Sequence, residues 1–287
     1  MNRIITTLLA FMVITHLFAQ NDNRPEHTGD NFSLEGALAL FKKSTSLEEF
    51  EKLLNEKDNH VNNLDLNNDG EIDYVVVNDN EDGDAHAIVL SVYLSENEKQ
   101  DVAVIGIEKT GAETAMLQIE GDPDLYPDNT IIEPNEEDQG FHDVRTESNP
   151  QALSSENFAN EQTDNFYSSK TERAFVNVWF WPGVRFLYAP GYMVWRSPWH
   201  WGLYPKWWRP WRPQKFSVFY SRCAPHRNYF HRVGARRVFV ARGIYSPRRS
   251  RSTLIIHNNR GSAVIIQNKR VGRVKAAKIR RARGRRF

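Results

Sequence analysis

Asp65, Asn67, Asp69 and Asp73 place side-chain oxygens at positions 1, 3, 5 and 9 of a loop within LDLNNDGEIDYVVV, residues 64–77. Gly70 stands at position 6, where such a loop turns sharply, and Glu71 at position 7 can offer its backbone carbonyl. Oxygen donors at this spacing point to calcium. The bland alternative is an Asx-rich turn that only links two elements. Three carboxylates so close in sequence repel one another without a cation, which favours the calcium reading and would couple binding to folding. An exported site lacking a bidentate Glu suits a dissociation constant of about 0.1–1 mM.

Followed directly by Tyr74 and three valines, this run resembles the calcium loop of the FG-GAP repeats of integrin-type propellers, and more loosely EF-hand and dockerin loops. An EF-hand carries its bidentate Glu at position 12, which here is Val76, and continues into a helix. The FG-GAP resemblance implies instead that Asp73 is the last ligand and that a strand follows at once. With one copy it implies a loop, not a propeller. Residues 61–120, with the strand-like QDVAVI at 100–105, are also similar to secreted bacterial envelope proteins of no assigned activity, which implies a compartment and nothing more. A weaker echo of the loop spacing falls on Asn78, Asn80, Asp82, Gly83 and Asp84, with His86 at position 9. It reads mainly as a hairpin turn, with a second cation site as the alternative.

The elements that would hold the loop show in the periodicity. Leu34, Ala37, Leu38 and Phe41 make one stripe of a helix starting after Ser33. Ser46 and Glu49 have capping-box spacing for a second, with Leu47, Phe50 and Leu54 on one face. The period then changes to two over residues 72–77, 85–94, 102–108 and 115–120, joined by short polar connections. The fold class expected is α+β: over residues 33–126, two helices on one face of a four-stranded antiparallel sheet, with a small core.

Residues 1–19 read as a signal peptide, with Arg3, an apolar run at 8–14 and a cut after Ala19, so the chain is expected to be exported to the periplasm, the outer membrane or the medium. No other stretch reaches the ~20 apolar residues of a membrane helix. Cys223 is the single cysteine, which rules out an intramolecular disulfide. Residues 20–32 are polar and read as disordered. Residues 1–170 carry 10 basic and 35 acidic residues, whereas 171–287 carry 27 basic residues and one acid, Glu172. Such asymmetry suggests modules with different partners, or halves that attract each other.

Residues 127–172 read as an acidic linker, 173–247 as a Trp/Arg/Pro-rich module and 248–287 as a basic hairpin and tail. All eight tryptophans fall between Trp179 and Trp211. Trp195, Arg196, Trp199, Trp201, Trp207, Trp208, Arg209, Trp211 and Arg212 are the candidate binding residues. The module is expected to be irregular, β-rich or partly disordered, with short strands at 216–220, 237–241 and 253–257, the last pairing with 263–267. Its aromatics can pack inward with arginines on their faces, form a surface for sugar rings, anionic polymer or lipid headgroups, or stack on nucleic acid. The export signal argues against the last. His200, His226 and His231 lack metal-site spacing. Cys223 lies near Arg222, Arg227 and His226, which would lower its pKa, though a buried or incidental thiol is the simpler reading.

No catalytic signature is present. The leading reading is an exported, non-enzymatic, calcium-binding envelope protein whose basic aromatic half meets an anionic polymer or lipid headgroups. One alternative is a hydrolase of an envelope polysaccharide using acids of the first domain. Another is a structural protein self-associating through its acidic and basic halves.

Overall fold

Two serines start the first two helices. Ser33 Oγ accepts the Gly36 amide at 2.9 Å and opens α1 (Leu34–Lys43), and Ser46 Oγ accepts the Glu49 amide at 3.1 Å and opens α2 (Leu47–Leu54). Their apolar stripes are buried, and Phe41 meets Phe50 edge-on with centroids 5.3 Å apart. The computed structural model describes residues 25–135 and 175–255. The expected signal peptide, residues 136–172 of the linker, the strand partner at 263–267 and the basic tail lie outside the described residues. Part of the stretch expected to be disordered is ordered: Thr28–Asn31 is a 3-10 helix and Phe32 is buried in the core.

Strands form at the period-two segments, with β1 (Val75–Asp82) starting later than the expected 72–77 and running into residues read as a connection, followed by β2 (Ala85–Ser95), β3 (Glu98–Gly111) and β4 (Thr114–Gly121). The sheet does not stop there. β5 (Ile131–Pro134) pairs with β4, and β6 (Phe230–Val233) pairs with β5, giving a six-stranded antiparallel sheet in chain order. This overturns the expected N-terminal unit of two helices on four strands followed by a linker and an irregular region. β5 lies in the stretch read as linker, and β6 comes from the basic half.

Three further helices, α3 (Pro182–Leu187), α4 (Phe216–Arg222) and α5 (Phe239–Tyr245), also belong to the second half. The last two replace the strands expected at 216–220 and 237–241, and residues 253–254 form a turn. Five-residue apolar runs do not separate a helix from a strand by period alone.

The sheet is covered on both faces. Ile88, Leu90, Val92 and Leu94 join a core with α1, α2, Val178, Trp181, Val184 and Leu187. On the other face Ala85, Ala87, Val89 and Val104 pack with Ile244 and Tyr245 of α5. Gly106 lets α5 approach closely, since a Cβ there would lie 2.8 Å from Val238 Cγ2. Small side chains on alternate strand positions are a cover site for a helix supplied by the second half.

The opposite charges meet within the chain. Arg236 pairs with Glu120 at 2.6 Å, Arg237 with Glu133 at 3.4 Å, and Arg251 with Asp124 at 2.6 Å. Arg249 grips buried Asp122 through Nε and Nη2, each at 2.5 Å. Ser250 and Ser252 then bond to Asp101 and Gln100, strapping the chain across the start of β3.

Candidate calcium loop and aromatic surface

The loop joins α2 to β1 and is anchored by Leu64, Leu66 and Ile72, all buried. Asn68 and Gly70 take positive φ, 59° and 87°, in the sharp turn. Asp65 accepts the amides of Asp69 and Gly70, each at 3.0 Å. Asn67 Oδ1 accepts the Asp69 amide at 2.9 Å, and its Nδ2 donates to Asp69 Oδ2 at 2.9 Å. Asp69 Oδ1 accepts the Glu71 amide at 2.9 Å, and Asp73 Oδ2 accepts the Leu66 amide at 2.5 Å. Glu71 itself is exposed.

Burial pushes the Asp73 carboxyl well above the usual range, and the charges of Asp65 and Asp69 push it further. Asp65 is raised by burial and by Asp69. These carboxylates feel one another, and a bound cation would relieve that repulsion. Their donors at present are mainly backbone amides. The group of three His, Cys or acidic side chains with ligand atoms all within 4.8 Å of one another, among the described residues, is Asp79, Glu81 and His86 instead.

The second half grips this loop. The Ile72 amide donates to the Trp211 carbonyl at 2.8 Å, and Asn63 exchanges two hydrogen bonds with the Gln214 backbone. Tyr74, at the loop's exit, meets Trp208 edge-on at 5.1 Å and Tyr204 at 5.7 Å. Burial raises the Tyr204 pKa, and the charges of Asp73 and Asp69 raise it further, so the loop's field reaches this ring.

The candidate aromatic and basic residues divide between core and surface. Trp208 is buried with Tyr74 and Val76; Trp199 and Trp211 are half-buried against the same cluster, and Trp195 packs on the main core. Arg196 donates to the Asp79 carbonyl and to Asn80 Oδ1, and Arg209 to the carbonyls of Lys206 and Trp208. Trp201 and Trp207 remain exposed, at 39% and 47%, on the same short segment of chain as exposed Leu203, Lys206, Arg209 and Arg212. Trp201 sits at the tip of a tight turn closed by His200 and Leu203, with Gly202 at φ 76° as that corner requires. Lys52 Nζ lies 5.9 Å from the Trp207 ring centroid.

Other expectations moved. The Cys223 thiol is buried and donates to the His60 carbonyl at 3.1 Å. This is the buried thiol of the simpler reading: burial pushes it up to about 11 and outweighs the lowering by Arg227. The weaker echo of the loop spacing is the hairpin turn it mainly reads as: Asn78, Asn80 and Asp82 lie in β1, and Gly83–Asp84 make the turn into β2. The alternate positions, Asp79 and Glu81, are the ones that meet His86. Strand alternation across a two-residue turn was the sequence signal for that group.

No protein-family model, characterised protein or solved structure matches the chain. Among the described residues no helix is long and apolar enough to cross a membrane.

Proposed function

We propose that this is an exported, non-enzymatic envelope protein in which calcium held by Asp65, Asn67, Asp69, Glu71 and Asp73 fixes the base of an aromatic surface that binds an anionic polymer. The observation carrying this reading is that exposed Trp201 and Trp207, with exposed Lys206, Arg209 and Arg212 on the same segment, belong to a stretch pinned to the loop through Trp211 and, at its exit, to Tyr74 through Trp208 and Tyr204. Flat rings stack on sugar faces while neighbouring cations meet carboxylate or phosphate groups. Within this reading calcium stabilises the folded chain and does not itself contact the polymer. At about 10 mM calcium, a site with a dissociation constant of ~0.1–1 mM would add about 1.4–2.7 kcal/mol, read as a raised melting temperature.

The surface is tested by retention of the full chain on peptidoglycan, lipopolysaccharide and acidic polysaccharides. The Trp201→Ala/Trp207→Ala variant should bind its preferred polymer about tenfold or more weakly, because exposed aromatic anchors dominate such contacts. Both side chains are exposed, so the melting temperature should hold. Equal retention of variant and parent would remove the role given to this surface.

A further inference from the structure

Two neighbouring strands assemble a second cluster of ligand-type side chains, far from oxygen-only chemistry. Residues 79 and 81 share a face of β1, and the two-residue turn sets His86 opposite Glu81. One ligand atom from each of Asp79, Glu81 and His86 lies within 4.8 Å of the others. Asp79 is 0% exposed and His86 2%, while Glu81 opens to solvent.

Asp79 Oδ2 lies 2.8 Å from His86 Nδ1 and accepts the Tyr192 hydroxyl at 2.7 Å. Its other oxygen, Oδ1, is buried with no hydrogen-bond partner. A fully buried carboxylate oxygen lacking a donor calls for a missing partner. The adjacent cation does not fill the role, because Arg196 is directed to the Asp79 carbonyl and to Asn80. The rings of Tyr188 and Tyr192 stand edge-on to His86 at 5.0 and 5.7 Å and hold the imidazole in place.

We propose that Asp79, Glu81 and His86 form a binding site for one divalent first-row transition-metal ion of the zinc class. An imidazole nitrogen with two carboxylates is a donor set for such ions, whereas calcium takes oxygen ligands. Binding releases the proton of the Asp79 Oδ2–His86 Nδ1 hydrogen bond to solvent, and bidentate ligation by the Asp79 carboxylate gives its buried Oδ1 the partner it lacks. Tyr192, bonded to the same carboxylate, orients it from outside the ligand set, as hydrogen-bond partners of metal ligands do. The site is independent of the loop at Asp65–Asp73 and of the polymer-binding reading.

The test is calorimetric titration of the metal-stripped full chain with zinc in millimolar calcium, with cobalt(II) absorption as a spectroscopic readout. The parent chain should bind one zinc, and cobalt(II) should give visible ligand-field bands. Glu81→Gln, at an exposed position that leaves the fold intact, should weaken zinc at least about tenfold. His86→Gln should abolish both signals. The proposal is overturned if the parent binds no zinc, if calcium displaces it, or if Glu81→Gln binds zinc unchanged, which would place the ion on other histidines.

Discussion

Arg249→Ala is expected to destabilise the folded chain by about 3–5 kcal/mol, the cost of leaving a buried charge without its partner. Asp122 has a fully buried side chain, and Arg249, 17% exposed, approaches it with two nitrogens. Gln100, the Asp124 amide and the Tyr245 hydroxyl also donate to this carboxylate, but none of them neutralises it. Arg249→Lys should recover only part of the loss, because an ammonium cannot make the forked contact. Urea unfolding of the two variants checks this. A loss under about 1 kcal/mol for Arg249→Ala would mean that the pair behaves as an exposed one. It would also mean that the strap at residues 249–252 contributes little to holding the halves together.

Glu51 is expected to give the chain a pH-dependent stability of about 3 kcal/mol between its unfolded and folded titrations. Its carboxyl, on α2, is buried and pushed up from 4.5 to about 7, chiefly by loss of water. Hydrogen bonds from the Ser197 hydroxyl, the Val77 amide and the Tyr74 hydroxyl oppose that rise without cancelling it. Below about pH 4.5 the group is protonated in both states, and its full contribution is present. As pH climbs, the unfolded chain ionises first, and the contribution is lost by the time the folded carboxyl has titrated through about 7. Glu51→Gln keeps the shape and a carbonyl acceptor for the Val77 amide, and should flatten this slope and raise stability at alkaline pH. The difference between parent and variant is the quantity to measure, because Asp73 and Asp101, also raised by burial, slope the same way. Parallel pH profiles for the two proteins would show that Glu51 ionises normally in the folded state.

Local periodicity made the first four strands and two helices legible. Ile88, Leu90, Val92 and Leu94 alternate because one face of β2 meets the helices. The interleaved Ala85, Ala87 and Val89 are just as buried, and what covers them is Ile244 and Tyr245, some 150 residues away in sequence. No local pattern announces such a cover. β5 and β6 were missed for a related reason: four-residue strands among acidic and basic neighbours carry too little alternation to stand out. The sharp Asx-rich turn over residues 65–73 was legible from spacing, and the crowding of aromatics from composition. Composition could not say that Trp208 is core while Trp201 and Trp207 face outward, because the same rings serve either purpose.

The claim that calcium clips the loop to the aromatic segment is tested most directly by calorimetric titration of the full chain with calcium, for the parent and for Asp69→Ala. The expected result is one calcium per parent chain at a dissociation constant of about 0.1–1 mM, with no comparable heat from the variant. A parent chain that gives neither heat nor thermal stabilisation at millimolar calcium would contradict it.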